Sequence, residues 1–372
     1  MEKNQILKIT GTDYKEMTIL LLEEADLAGR IGDRSLCVGI KPNLVVPSPA
    51  AFGATTHPEV VAGIIEYLQG KHFHKIIMAE GSWVGDRTAE AYAYCGFRAL
   101  SEQYGVPFVD TQKEAWHEAD CGGMRLQLTD VTDRMDFLIN VPVLKGHCQT
   151  RVTCALKNLK GLLPNAEKSR FHRLGLHKPI AHLQKGIHQD FIVVDNICGD
   201  LDFEEGGNPV VQNCVMAALD PVLMDSYACR LMGYTPDDVP YIRMAEALGI
   251  GTADLGTLEL ITLRSSGALP EQPRRRRVLE VSYAVEEVDS CSACYGSLIG
   301  ALCRLREEGL LDRLRVPIGI GQGMRERSGE LGVGSCTRHF VHSIKGCPPE
   351  EEDIYRELKD YILRNESGNL SP

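Results

Sequence analysis

No stretch of this chain approaches the roughly 18 uninterrupted apolar residues that a membrane span needs. Residues Met1 to Gln5 lead into a short strand-like run and not into an apolar signal segment. The expectation is a soluble, cytoplasmic protein with no membrane partner. A clean glycine-rich nucleotide fingerprint is also missing, because Gly319-Ile320-Gly321-Gln322-Gly323 lacks the spacing and the downstream helix that one requires. Positive charge is in deficit. The net charge of −11 argues against general affinity for nucleic acid or acidic membranes. Nor is there an even set of cysteines. The 13 present are spread over the whole chain, which in a cytoplasmic protein argues against a disulfide framework. Most sit singly in apolar runs, as in Leu36-Cys37-Val38 and Cys214-Val215-Met216, and read as small core residues. What remains is ordinary globular composition, 44% hydrophobic and 24% charged over 372 residues, enough for two packed cores.

The charge is unevenly spread. Val141 to Gln189 holds six Lys, three Arg and five His against one acid, Glu167, a local +8 that leaves −19 for the rest. A cationic window on an acidic protein points to a specific anionic small-molecule ligand; the plainer reading is a solvated basic loop. The window has one aromatic residue, Phe171, so there is little to stack on bases and an RNA partner is disfavoured.

Strand-like and helix-like segments alternate. Ile6–Thr10, Ser35–Ile40, Lys75–Ala79, Asp136–Leu144 and Phe191–Ile197 read as strands. Tyr14–Leu27, Pro58–Gln69, Thr88–Tyr104, Asp220–Met232 and Pro240–Leu248 read as helices. This predicts an α/β protein with a mostly parallel sheet covered by helices. The segment 266–277, with its four consecutive arginines, reads as a linker after a domain spanning 1–265. Alternation then restarts with a strand over Val278–Val285, a helix over Ala293–Glu308, a strand over Val316–Ile320 and a helix over Glu351–Leu363. That predicts a smaller C-terminal α/β domain over 278–364 and a frayed tail over 365–372.

Four cysteines of this second domain occupy equivalent places. Cys291 and Cys294 stand between a strand and the helix after it, Cys336 beyond the next strand, and Cys347 between a short apolar run and the last helix. In a parallel sheet such loops emerge at the C-terminal edge and deliver four thiolates to one point. Four thiolates suit a 4Fe-4S cluster, helix N-termini favour its negative charge, and the nearby glycines let the backbone approach. Zinc, with His339 recruited through Cys336-Thr337-Arg338-His339, is the competing reading. Cys303, inside the helix, reads as core.

These motifs carry a resemblance. Cys291-Ser292-Ala293-Cys294-Tyr295-Gly296-Ser297-Leu298, Gly334-Ser335-Cys336 and Gly346-Cys347-Pro348-Pro349 resemble the proximal-cluster motifs of nickel–iron hydrogenase small subunits, over about 60 residues. The resemblance implies a four-iron cluster and does not imply hydrogenase activity. In the first domain, Lys41-Pro42-Asn43-Leu44, His57-Pro58-Glu59-Val60-Val61, Ala79-Glu80-Gly81-Ser82, Asn140–Lys145, Leu156–Gly161, Val193-Val194-Asp195 and Asp220–Asp225 resemble the domain-of-unknown-function 362 family. That resemblance implies frequent association with iron–sulfur modules. The order Lys157, Lys160, Gly161, Pro164, His172 is similar to a lysine-proline-histidine region of the nickel-dependent lactate racemase family.

The polar residues at strand ends supply the candidate site. Lys145, His147, Lys157, Lys160, His172 and Glu80 are candidate catalytic residues, the lysines clamping carboxylate or phosphate and the histidines moving protons. Lys41, His177 and Asp195 are candidate cofactor-binding residues. The five-residue spacing of His172 and His177 places them on a loop, and Asp195-Asn196 reads as a strand end. Asp200 to Glu205 reads as a solvated acidic turn. The leading expectation is a redox enzyme whose cluster passes electrons from an external donor, such as ferredoxin or a reductase, to an anionic substrate or cofactor. A non-catalytic electron carrier or maturation factor, and a racemase or isomerase with a structural cluster, are the alternatives.

Overall fold

The computed structural model describes residues 1–204, 206–207, 209–263 and 278–367. The chain divides into two units, Met1–Gly146 with Thr150–Pro273, and His147–Gln149 with Arg274–Pro372. The linker expected over 266–277 lies outside the described residues, as does the end of the tail.

The first unit is built on eight strands: β1 (Gln5–Thr10), β2 (Val38–Lys41), β3 (Ile76–Glu80), β4 (Phe108–Asp110), β5 (Phe137–Asn140), β6 (Phe191–Asp200), β7 (Pro209–Ala218) and β8 (Glu259–Thr262). They form one sheet in the order β8-β1-β7-β6-β5-β2-β3-β4. Only β7 runs against the rest. The period of two along a strand divides each run between two cores: Ile192 and Val194 pack on one face, Phe191, Val193 and Ile197 on the other. Burial on both faces explains why β6 is buried along its whole length.

Helix boundaries follow local chemistry. The Asp13 side chain caps the helix Tyr14–Glu24, Pro58 opens Pro58–Gly70, and Asp220 caps Pro221–Leu231 through the N–H groups of Val222 and Leu223. The chain from β2 runs outward to β3 and β4, then returns to the other side of β2 as β5. The sheet therefore has its switch point between β2 and β5, where Lys41 and Asn140 are paired in register.

Several sequence expectations are corrected. The helix expected over Tyr14–Leu27 stops at Glu24 and restarts at Leu27, and the one over Thr88–Tyr104 is broken into Thr88–Tyr94 and Phe97–Tyr104. Asp195 does not end a strand; β6 continues through it, with Asp195 still paired to Val215. The segment Val278–Val285, although apolar and alternating, satisfies its N–H groups locally. It forms two short 3-10 turns, Val278–Glu280 and Ser282–Ala284.

The second unit has four parallel strands in chain order: β9 (Val285–Glu287), β10 (Ile318–Ile320), β11 (Leu331–Val333) and β12 (His342–Ile344). The helices Ser292–Glu307 and Glu351–Ser367 contribute Leu298, Ile299, Leu302, Ile354 and Leu358 to its core. Among the described residues no helix is long and apolar enough to cross a membrane.

Candidate active site and metal centre

The switch point of the large sheet is lined by buried polar groups. Lys41, at the end of β2, is ion-paired with Glu80, at the end of β3, and donates to Pro42 O at 2.8 Å. Both are almost fully buried. Burial pulls the Lys41 ammonium below its usual range and pushes the Glu80 carboxyl up, while each partner's charge opposes the shift of the other. Gly161 passes directly over this pair. A Cβ there would stand 2.1 Å from Glu80 Oε1 and 2.6 Å from Lys41 Nζ, so the position admits no side chain without displacing them.

Beside the pair runs a chain of amides. Lys145 Nζ donates to Asn43 Oδ1 at 3.3 Å, and Asn43 Nδ2 donates to Asn158 Oδ1 at 2.9 Å. Asn158 Nδ2 donates to Asn140 Oδ1, Asn140 Nδ2 to Gln189 Oε1 and Gln189 Nε2 to Gln184 Oε1, each at 2.7 Å. All are buried, and such a chain fixes the geometry of the strand ends because each member needs the next. The short helix Ala155–Asn158, which carries Lys157 and Asn158, is anchored from below. Asp225 accepts from Ala155 N at 2.7 Å and Leu156 N at 3.2 Å.

Around this frame four lysines gather. Lys157 is ion-paired with Glu204 and donates to Thr153 Oγ1 at 3.2 Å. Lys145 donates to Ala54 O at 2.5 Å and Glu204 O at 2.8 Å. Lys168 donates to Gly81 O at 2.8 Å and Ser82 O at 2.9 Å; burial lowers it to about 8 despite the Glu80 charge. Lys160 lies 2.9 Å from His172 Nε2. Burial, with the charges of Lys157 and Lys168 added and that of Glu204 opposing, brings Lys160 down to about 7. The expected grouping of Lys145, Lys157, Lys160 and His172 is thus connected through Glu204 and through mutual charge, and Glu80 and Lys41 adjoin it through Gly161 and Lys168. Glu204 is an ion-pair partner and not the solvated residue the sequence implied.

Other expected residues stand elsewhere. His172 and His177 are not on a loop. They lie in two helices, Asn165–Leu174 and His177–Gly186, broken at Gly175, and the five-residue spacing spans that break. His177 stacks on Tyr241 with ring centroids 5.9 Å apart. Asp195 is engaged by His57, whose N and Nδ1 lie 2.7 and 2.8 Å from Oδ2. Burial pulls His57 down, but the Asp195 charge and hydrogen bond outweigh it and the imidazole is raised. His147 Nδ1 accepts from Gln149 N at 3.1 Å.

In the second unit the three cysteine-bearing loops follow parallel strands β9, β11 and β12. Cys291 immediately precedes the helix Ser292–Glu307 and Cys294 lies in its first turn. Gly334 and Gly346 adopt positive φ in the other two loops, and a Cβ on Gly334 would stand 3.6 Å from Cys294 Sγ. Burial raises Cys291, Gln322 Nε2 at 3.5 Å opposes this, and the charges of Cys336 and Cys347 add to it. Cys294 is pushed up to about 12 by burial and by Cys291, Cys347 and Cys336. The Arg325 guanidinium hydrogen-bonds Cys336.

Among the described residues no three His, Cys, Asp or Glu side chains are grouped so that they could hold a metal ion. Tetrahedral zinc would bring its sulfurs to about 3.8 Å from one another, given its ~2.3 Å bonds. A cubane is larger and holds its cysteines further apart. An all-thiol donor set, with an arginine beside it and a helix N-terminus under Cys291, fits an anionic cluster.

Residues 38–230 match the family described as Domain of unknown function (DUF362). The chain belongs to this family. The part shared with other DUF362 members contains the whole lysine cluster and its amide frame, while the four cysteines lie outside it. Over 235 residues the chain is 28% identical to a thylakoid-associated protein of Synechocystis sp., covering 59% of this chain and 69% of that protein. Among solved structures it is similar to the lactate racemase apoprotein from Thermoanaerobacterium thermosaccharolyticum, at 13% identity and TM-score 0.42, covering 63% of this chain and 57% of that one. A protein from Thermotoga maritima shows 10% identity and TM-score 0.32, with 60% of each chain covered. The chain thus spans about three fifths of the length of these solved structures.

Proposed function

We propose that this DUF362 protein is an iron–sulfur redox protein, an oxidoreductase or electron-transfer enzyme acting on an anionic small molecule or cofactor. The observation that carries the reading is the placement of four cysteines on three loops that follow parallel strands of one small sheet, at the edge where those strands end. Cys291, Cys294, Cys336 and Cys347 would hold a 4Fe-4S cluster, which when bound supplies single electrons, and an external donor such as ferredoxin or a reductase would charge it. In the first unit Lys160, Lys157 and Lys145 provide the positive field for an anion, and Lys160 with His172 provides two groups able to hold or move a proton at the ligand. The odd cysteine count fits work in the reducing cytoplasm.

Anaerobic purification tests the reading. About four irons and matching labile sulfide per chain are expected, with a resonance signal on chemical reduction. Stoichiometric zinc without iron would overturn it. A second reading, a racemase- or isomerase-type enzyme with a structural cluster, is favoured by one feature, the pairing of two bases in Lys160 and His172. It predicts proton exchange into substrate with no dependence on a reductant.

A further inference from the structure

Lys160 differs from every other lysine of the cluster in its partner. Lys41 and Lys157 are matched by carboxylates, and Lys145 and Lys168 are tied to backbone carbonyls. Lys160 faces a base, His172 Nε2, at 2.9 Å, and among the described residues no carboxylate touches it. It is also the least enclosed member, partly exposed where Lys41, Lys145, Lys157 and Lys168 are buried. A ligand can therefore reach it without breaking an ion pair.

We propose that Lys160 is a nucleophilic amine which takes an anionic carbonyl compound, of the 2-oxo acid or aldehyde-acid class, as an imine. The proposal rests on the reading of this site as anion-binding and names the substrate class. Lys157 and Lys168, whose charges both act on Lys160, supply the field for the carboxylate. An amine beside other cations, in a desolvated site, is activated because its protonated form is disfavoured. A value of about 7 for Lys160 leaves a large neutral fraction at physiological pH.

The chemistry balances without an oxidant. The Lys160 nitrogen forms a bond to the carbonyl carbon as the carbon–oxygen π pair moves to oxygen, and His172 Nε2 carries one proton from nitrogen to that oxygen to give the carbinolamine. The nitrogen lone pair then forms the C=N bond as the C–O bond breaks, and His172 carries the second nitrogen proton to the departing hydroxyl. One amine and one carbonyl give one imine and one water. An imine so placed makes the adjacent C–H acidic, which gives the site a use for a second proton-moving group.

The test uses the full chain with glyoxylate and cyanoborohydride near neutral pH, followed by peptide mapping. The expected result is a secondary amine on Lys160 ahead of exposed lysines such as Lys113, whose side chain is 73% accessible. Labelling of Lys160 should be half-maximal near pH 7, set jointly by Lys157, Lys168, Glu204 and His172, whereas an exposed lysine labels with a midpoint near ~10. Lys160→Arg should lower adduct formation at least about tenfold, with the melting curve recorded to confirm the fold. Adducts confined to exposed lysines, with Lys160 unmodified, would sink the proposal. Glycolate, which keeps the carboxylate and lacks the carbonyl, separates the two readings. Glycolate binding by calorimetry, together with no Lys160 adduct from glyoxylate, defeats the imine and leaves the anion site standing. Failure of both defeats the anion site as well.

Discussion

The carboxylate of Asp225 accepts a hydrogen bond from the backbone N–H of Ala155 at 2.7 Å, although the two residues are 70 positions apart. Through it a long helix, Pro221–Leu231, holds the start of the short helix that carries Lys157. Burial, outweighing the N–H bonds from Leu156 and Ala155, raises Asp225 from 3.8 to about 7. The folded chain thus retains a proton there that the unfolded chain loses. Its contribution to stability is greatest below about pH 4 and falls as pH rises to about 7, by up to about 4 kcal/mol. Asp225→Asn should lose this pH dependence. Denaturant unfolding at several pH values between 4 and 8 is the measurement, and parallel curves for variant and parent would refute the assignment.

Removal of one thiol tests the metal centre. Cys347→Ser or Cys294→Ser should lose most of the iron, whereas Cys303→Ser should keep it, because Cys303 is buried in the helix Ser292–Glu307. Iron and sulfide analysis of anaerobic preparations decides. Iron lost from the Cys303 variant alone would mean the ligand set is wrong.

Glu204 competes with any anion for Lys157. Glu204→Gln should therefore strengthen binding of phosphate or glycolate, by about five- to tenfold, since a charge-assisted contact is released for the ligand. Lys160→Gln should weaken it by about three- to tenfold, less than a full charge-assisted contact would give, because Lys160 at about 7 is only partly protonated near neutral pH. Calorimetric titration reads both. Unchanged affinity in both variants would show that the anion sits elsewhere.

Lys41 and Glu80 stabilise one another only as a pair. Lys41→Met leaves an uncompensated buried carboxyl and should cost about 3–5 kcal/mol of unfolding free energy, whereas Lys41→Met with Glu80→Leu should recover most of it. Gly161→Ala, which forces a Cβ against Glu80 Oε1, should be destabilising in the parent. A double-mutant cycle in urea that shows simple additivity would contradict the coupling.

Much of this was legible in the residues. The parallel strands β2, β3 and β6 announce themselves as apolar runs, and Lys41 and Glu80 stand where such runs stop. The cysteine loops could be placed because strand and helix alternate again over the last hundred residues. Other features depend on tertiary structure and leave little local trace. Strand β11 is three residues long, too short for a period. Lys168 reads as one more cation in a basic window, and only folding buries it against Gly81 and Ser82. His57 and Asp195 are 138 positions apart, and nothing in either segment names the other. The asparagines 43, 140 and 158 offered the one usable signal, amides next to strongly apolar runs, which need partners if buried.

Strand β1 is made first, yet its neighbours in the sheet are β7 and β8. At ribosomal rates of ~5–20 residues per second, it waits roughly 10–40 s for residues 209–218 to emerge. Until then its amide edge must stay clear of other nascent chains. Conversely, a piece cut to the family boundaries at 38 and 230 would leave β7 without its outer partner, a bare edge on an otherwise finished sheet. The strands that extend the sheet past β7 (β1 and β8) thus come from either side of the matched segment, one before residue 38 and one after residue 230.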